Sequence, residues 1–402
     1  MHTCAIQTLA YGGDGIARID GRVVFVPGTI PGETVRIRIT QTKKNFARGE
    51  AVEILEPSPE RIDPCCRVGA DARVPGCVYD HLAYAAEVQA KQQQVEGFFR
   101  RIPHAEDAFL PPVASPAPLH YRNKTALHAE ATPEGFCLGY RQEPSHRVLD
   151  LPACPLADPS INDALNAFRA SADARQLLDP GGGIVFRTTP HDGAVWYSGD
   201  TRSPNCPDHL TAQSPAGPMS VPHDGFWQVN PAVADALVRF VMDTFAQDAA
   251  AQDILDLYCG VGVLGLACMK RGGRRLAGIE SGRAAVAAAR QNAKAHGVEG
   301  RFTARALGRD AVRLNEWMGA PCQTTIIADP PREGMGKSVV QGIAASGAAR
   351  IFYISCDPAT LTRDLTLLLA ISRYRVHRIR LFDMFPRTAH VETFVELQRM
   401  AT

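Results

Sequence analysis

From Asn230 to the C-terminus the chain alternates short apolar runs with helical stretches, and that alternation narrows the choice of fold more than any other feature. "DILDLYC", "RRLAGIE", "TTIIADPP" and "RIFYISC" each read as a strand ending in turn residues. "RAAVAAARQNAKAHG" has the composition and spacing of a helix between two of them. Such repetition predicts a doubly wound, largely parallel sheet, a Rossmann-like α/β domain, whose ligands sit beyond the carboxyl ends of the strands. The functional residues of this half are therefore sought where apolar runs end.

The first such end is "ILDLYCGVGVLGL", residues 254 to 266: a strand, a loop carrying Tyr258, Gly260 and Gly262, then a helix start. Glycines let the backbone approach a ligand, and a helix N-terminus favours anionic groups. Asp256 closes the strand, and Glu280 closes the next one 24 residues later, where an acid can accept both hydroxyls of a ribose. A nicotinamide dinucleotide would satisfy the same features. "DLYCGVG", however, resembles motif I of S-adenosylmethionine (SAM) methyltransferases, so SAM is the expected cofactor.

The later strand ends set the chemistry. "IIADPPREG" places Asp329 where such a methyltransferase presents its acceptor. An amino-methylating enzyme would follow Asp-Pro-Pro with an aromatic, and Arg332 stands there instead. A DNA-type cytosine-C5 enzyme would carry its cysteine beside the proline, and none is present. "IFYISCDPATL" supplies a thiol elsewhere: Cys356 ends a strand, with Asp357 as the expected N-cap and Pro358 as the first residue of a helix. A lone cysteine is most often a small buried hydrophobe. A thiolate added to C6 of a uracil, however, would make C5 nucleophilic toward a methyl sulfonium, and a base must then remove the C5 proton. Glu392 in "DMFPRTAHVETF" is the expected base, with His390 second.

The N-terminal half differs in texture. Residues 1–58 read as several short strands around glycine and proline turns, suiting a small OB-like barrel. Within it, "RIRITQTKKNFAR" carries Arg36, Arg38, Lys43, Lys44 and Arg48 and no acid, which suggests a presented basic surface. Residues 59–225 form a central α+β region, with a helix expected over 81–102, another over 161–178, and strands over 118–152 and 182–200. Residues 226–402 complete the expected division.

Composition excludes little beyond the obvious. With 43 basic and 42 acidic residues, net charge identifies no partner. The N-terminus lacks the pattern of a signal peptide, and no apolar run is long enough for a membrane helix. Eleven cysteines in a chain of 402 do not read as a secreted disulfide framework, so a reducing cytoplasm is expected.

Taken together, "DLYCGVG", "DPPREG", "YISCDPATLTRDL" and "DMFPRTAHVE" resemble the RNA 5-methyluridine methyltransferases, with motifs spread over residues 226 to 392. The resemblance implies Cys356 as nucleophile and Glu392 as base, with Asp357 standing where Asn is usual. It implies Gln228 of "GFWQVNP" beside cofactor or base, Phe226 as a stacking ring, and Asp329 toward the uracil N3–H. "AYGGDGIARIDGRVVFVPGTIPGETVRIRI" resembles a TRAM domain, an RNA-binding module typical of the ribosomal-RNA branch. "YRNKTALH" matches a stretch that contacts RNA in the family, which makes Arg122 and Lys124 phosphate ligands. The implied substrate is 23S ribosomal RNA; tRNA, cytosine-C5 methylation and a non-enzymatic RNA-folding factor are the alternatives, and a monomer is expected. That branch often holds a [4Fe-4S] cluster on four cysteines, matched here by Cys65, Cys66, Cys77 and Cys154. The adjacency of Cys65 and Cys66 departs from the usual spacing and leaves a zinc ion, or a spare thiol, as alternatives.

Overall fold

The computed structural model describes residues 1–400 except 69–71, 134, 143–144, 172–181, 249–251 and 309–312. Its N-terminal sheet contains β1 (His2–Ala5), β2 (Thr8–Leu9), β3 (Gly15–Ile19), β4 (Arg22–Val26), β5 (Thr34–Thr42) and β6 (Phe46–Glu56), in the order β1-β5-β6-β4-β3-β2. The period-two pattern of β5 holds: Val35 and Ile37 are buried while Arg36 and Arg38 point outward.

A small hairpin, β7 (Arg67–Val68) and β8 (Ala72–Arg73), precedes helix α1 (Tyr84–Phe99). The second large sheet has β9 (Lys124–Thr132), β10 (Gly135–Arg141), β11 (Val148–Asp150), β12 (Gly183–Thr189), β13 (Gly193–Ser198) and β14 (Thr201–Arg202). It is antiparallel throughout, and α2 (Pro159–Ala170) packs Ile161, Leu165 and Phe168 into its core. Asp158 caps α2, its side chain accepting from the Ser160 N–H. The part of the expected second helix beyond Ser171 lies outside the described residues. A hairpin of β15 (His209–Ala212) and β16 (Met219–Pro222) leads into the C-terminal half.

The last sheet has seven strands: β17 (Asp253–Leu257), β18 (Arg275–Glu280), β19 (Gly300–Ala304), β20 (Thr324–Ala328), β21 (Arg350–Ser355), β22 (Tyr374–Phe382) and β23 (Glu392–Arg399). Their order is β19-β18-β17-β20-β21-β23-β22, parallel except that β23 runs antiparallel between β21 and β22. Buried Val, Ile, Leu and Phe cover both faces. Helices Pro231–Ala246, Val263–Met269 and Arg283–Ala295 pack on one face; Lys337–Ser346 and Pro358–Ile371 pack on the other, joined by Val95 and Phe99 of α1. Strand order reverses between β17 and β20, so the cleft for a ligand opens beyond Leu257 and Ala328.

Candidate active site

At that switch point a cavity is lined by Phe226, Trp227, Gln228, Asp256, Tyr258, Gly260 and Asp329 among others. Five of the seven residues expected to hold the cofactor thus share one cavity. The other two support it. Gly262, at φ 88°, is the N-cap of helix Val263–Met269. Glu280 accepts from the N–H groups of Gly260 (3.2 Å) and Gly282 (2.8 Å) and from the Ser281 hydroxyl.

The loop is held by local packing. Gly260 turns at φ 52° and Tyr258 at φ 60°, a left-handed conformation that a tyrosine adopts only under constraint. Gly265 lets its helix press on the sheet: a Cβ there would lie 2.6 Å from Leu276 and 2.9 Å from Asp256 Oδ2, which accepts from the Gly265 N–H at 3.0 Å.

Asp256 is 1% exposed, and its Oδ1 has no hydrogen-bond partner. Burial, with Asp329 and Glu280 nearby, pushes its carboxyl up to about 8. Burial lifts Asp329 to about 7. A cation placed among these buried carboxyls would favour their ionised forms. The residues fit a ligand carrying positive charge together with vicinal hydroxyls.

The reactive pair sits one strand away. Helix Pro358–Ile371 begins after Cys356 as expected, with the Asp357 side chain accepting from the Thr360 N–H at 2.7 Å. The antiparallel register opposes Ser355 to Thr393, so Cys356 and Glu392 are the next positions along β21 and β23. Cys356 is half-buried. Burial pushes its thiol up to about 11, with Glu392 and Asp329 adding to the rise and Arg332 opposing it. Glu392 is buried, its Oε1 is unpartnered, and burial followed by Asp329 holds its carboxyl well above the usual range. Asp329 thus faces both the cofactor cavity and the thiol. His390 packs edge-on against Phe385 at 6.0 Å. Burial, then Arg332, Arg122 and Lys91, lower it to about 4, so it is a weaker base than Glu392.

Two groups of expected residues behave differently. On the basic strand, Arg36 pairs with Glu53 at 2.5 Å and Arg38 with Glu50 at 2.6 Å, their opposite residues on β6. The basic run is thus presented to solvent, with Arg36, Arg38 and Arg48 (on Asp14, 3.4 Å) facing acids and Lys43 and Lys44 exposed at the turn. Arg122 is half-buried against Tyr121, and Lys124 is half-buried, its amine lowered by desolvation and then Arg187. Phe226, by contrast, is 71% exposed at the cavity mouth.

The structure brings the four cysteines expected as metal ligands into one region. Cys65, Cys66, Cys77 and Cys154 gather in one apolar cluster. Cys65 lies within hydrogen-bonding reach of Cys66 and Cys66 of Cys77, and Cys154 Sγ meets the Tyr140 hydroxyl at 3.6 Å. Among the described residues no three His, Cys, Asp or Glu side chains are arranged to hold a metal ion.

Sequence reasoning missed two features. Tyr11, in the β2–β3 turn, packs on Phe98 at 5.3 Å; burial, then Asp357 and Cys356, push its phenol up to about 12, which puts the N-terminal sheet beside the thiol. No local signal marks it. The second is a buried charge network behind Glu392, described below; its Glu87–Lys91 spacing on α1 was the available hint.

A doubly wound sheet with an acid-lined cavity at its switch point, a glycine loop and a strand-end thiol paired with a buried carboxyl defines a SAM-dependent methyltransferase. Residues 218–400 match the family described as tRNA (Uracil-5-)-methyltransferase, and residues 5–52 match the TRAM domain. An uncharacterized RNA methyltransferase of Thermosynechococcus vestitus is 31% identical over 98% of this chain and 96% of its own. The 23S rRNA (uracil-C5)-methyltransferase RlmD of Acidithiobacillus ferrooxidans is 31% identical, with the same 98% and 96% covered. The chain belongs to the RNA uracil-C5 methyltransferase family, and its enzyme class is that of the SAM-dependent RNA (uracil-C5)-methyltransferases. The fold agrees: the tRNA (uracil-54, C5)-methyltransferase of Pyrococcus abyssi, solved with S-adenosyl-L-homocysteine, superposes with a TM-score of 0.73 at 22% identity, over 98% of this chain and 100% of that one. Among the described residues no helix is long and apolar enough to cross a membrane.

Proposed function

We propose that the chain methylates C5 of a uridine in 23S ribosomal RNA through a covalent adduct on Cys356. The observation that carries this reading is the register of β21 and β23, which brings a thiol and a buried carboxyl to adjacent strand ends beside an acid-lined cavity. The family's TRAM module at residues 5–52 and the ribosomal relatives matched over 98% of the chain support ribosomal RNA as the substrate class. In this reading residues 1–58 and 59–225 grip RNA, and 226–402 perform the chemistry.

Asp256, Glu280, Gln228 and the Tyr258–Gly262 loop would hold SAM, which when bound supplies an electrophilic methyl group. Its positive charge answers the surplus of acids, and its ribose hydroxyls suit Glu280. The target base must leave its stack to reach Cys356. Asp329 accepts from its N3–H, a donor that cytosine lacks at that position, which selects uracil. Arg332, which lowers the Cys356 thiol, favours the thiolate. Cys356 Sγ adds to C6, and the electron pair moves to C5 and O4 as an enolate. C5 then takes the methyl group. Ionised Glu392 removes the C5 proton, C5=C6 re-forms and the thiolate leaves. Burial makes Glu392 hard to ionise and, once ionised, a strong base.

The test is incubation with tritiated SAM and unmodified 23S RNA or tRNA, followed by digestion to nucleosides. Labelled 5-methyluridine from 23S RNA is expected. Label in tRNA alone would move the substrate, and no 5-methyluridine on either RNA would overturn the reading.

A further inference from the structure

Helix α1 belongs to the N-terminal half, yet two of its charged side chains, Glu87 and Lys91, are wholly buried. Lys91 Nζ donates to Glu87 Oε1 (2.8 Å), Asp383 Oδ1 (2.8 Å) and the Phe385 carbonyl (3.1 Å). Glu87 in turn accepts from the Arg387 backbone N–H (2.7 Å) and guanidinium (3.1 Å). The Tyr84 hydroxyl donates to Asp383 Oδ2 at 2.8 Å and accepts from the Ser115 N–H at 2.7 Å. Two cations thus meet two anions in direct contact. A buried network of this kind is seldom a gain in stability over apolar packing; its best attested use is to fix one arrangement.

What it fixes is the segment 383–390, which is neither helix nor strand. Its backbone is gripped at Phe385 by Lys91, at Pro386 by the Tyr121 hydroxyl (3.0 Å) and at Arg387 by Glu87 and the Val78 N–H (2.8 Å). Arg387 is held at φ 67°, a conformation that persists only where the surroundings impose it. The segment runs directly into Glu392, while Asp383 follows Phe382, the residue opposite Glu392 on β22. Both ends of the gripped segment therefore bear on the carboxyl.

We propose that Lys91 is a positioning residue for Glu392: by neutralising Glu87 and Asp383 and holding the Phe385 carbonyl, it locks segment 383–390 so that the carboxyl is aimed at C5 of the adduct. The proposal rests on the covalent reading above. It predicts a defect confined to proton removal and release of Cys356, leaving cofactor binding and the first addition alone.

The test compares wild type, Glu392→Gln, Lys91→Met and Tyr84→Phe with SAM and unmodified 23S RNA, scoring denaturant-stable protein–RNA adduct, 5-methyluridine and affinity for S-adenosylhomocysteine. Lys91→Met is expected to form adduct at the wild-type rate and to resolve it at least thirty-fold more slowly, with affinity changed less than two-fold. Tyr84→Phe, a milder change that keeps all charges, is expected to slow resolution about five-fold and serves if Lys91→Met does not fold. Normal turnover in both variants, or parallel loss of affinity, addition and resolution in the variant that folds, would overturn the proposal. If Glu392→Gln traps adduct and neither variant does, the positioning role alone falls. If Glu392→Gln traps none, the base assignment and the positioning role fall together.

Discussion

Cys356 and the group Cys66, Cys77 and Cys154 put the same functional group into two environments. The three thiols lie at 0%, 1% and 1% exposure inside an apolar core, within hydrogen-bonding reach of each other or of a tyrosine. Cys356 lies half-buried at a strand end, next to a helix start, an arginine and two acids. The contrast teaches that a cysteine's chemistry here is set by what the strand register delivers beside it. Without Glu392 at the next position on β23, Cys356 would be one more packing residue.

Replacing Cys356 with Ala should abolish 5-methyluridine formation, a loss of about 10⁴-fold or more, as for removal of other nucleophiles. Replacing Cys66 with Ala should leave kcat near wild type while lowering Tm, because only packing is lost. Activity retained by Cys356→Ala would erase the distinction between the two regions.

The cofactor cavity gives the next largest effect. Asp256 and Asp329 titrate at about 8 and about 7 in the free protein, and a cation binds their ionised forms. S-adenosylmethionine affinity should therefore fall about ten-fold or more from pH 8.5 to pH 6.5, measured by calorimetry, as binding must expel protons. The sign for stability is opposite. Carboxyls raised in the folded state keep protons that the unfolded chain releases above about pH 4, so the free protein should lose Tm progressively as pH rises from about 4 to about 8, where the loss levels off. A flat affinity profile would contradict the charge argument.

A smaller effect sharpens the thiol comparison directly. Because the Glu392 charge raises the Cys356 thiol, Glu392→Gln should speed its alkylation by iodoacetamide a few-fold at pH 9, followed by mass spectrometry, with Cys66, Cys77 and Cys154 staying protected. Smallest of all, Arg36→Ala with Arg38→Ala should change RNA affinity less than about three-fold in a filter-binding assay, because both guanidiniums already face glutamates. A large loss would show that RNA displaces those pairs.

Much of the C-terminal half is legible in the sequence because its information is local. A strand end, a glycine loop and a capped helix declare themselves within a dozen residues, and the parallel topology then carries those ends to one edge. What was illegible depends on register or on distance. The charge of β5 is cancelled by residues on β6 that only the pairing of Arg36 with Glu53 and Arg38 with Glu50 reveals. Lys91 meets Asp383 across 292 positions, and Tyr11 reaches Cys356 from the opposite end of the chain.

The central claim is that Cys356 and Glu392 act in succession on one uracil. Its most direct test is denaturing electrophoresis of Glu392→Gln incubated with S-adenosylmethionine and radiolabelled 23S RNA. A slow-migrating protein–RNA species that depends on Cys356 and carries the methyl group is expected. Free RNA bearing 5-methyluridine at the wild-type rate, with no such species, would contradict the account.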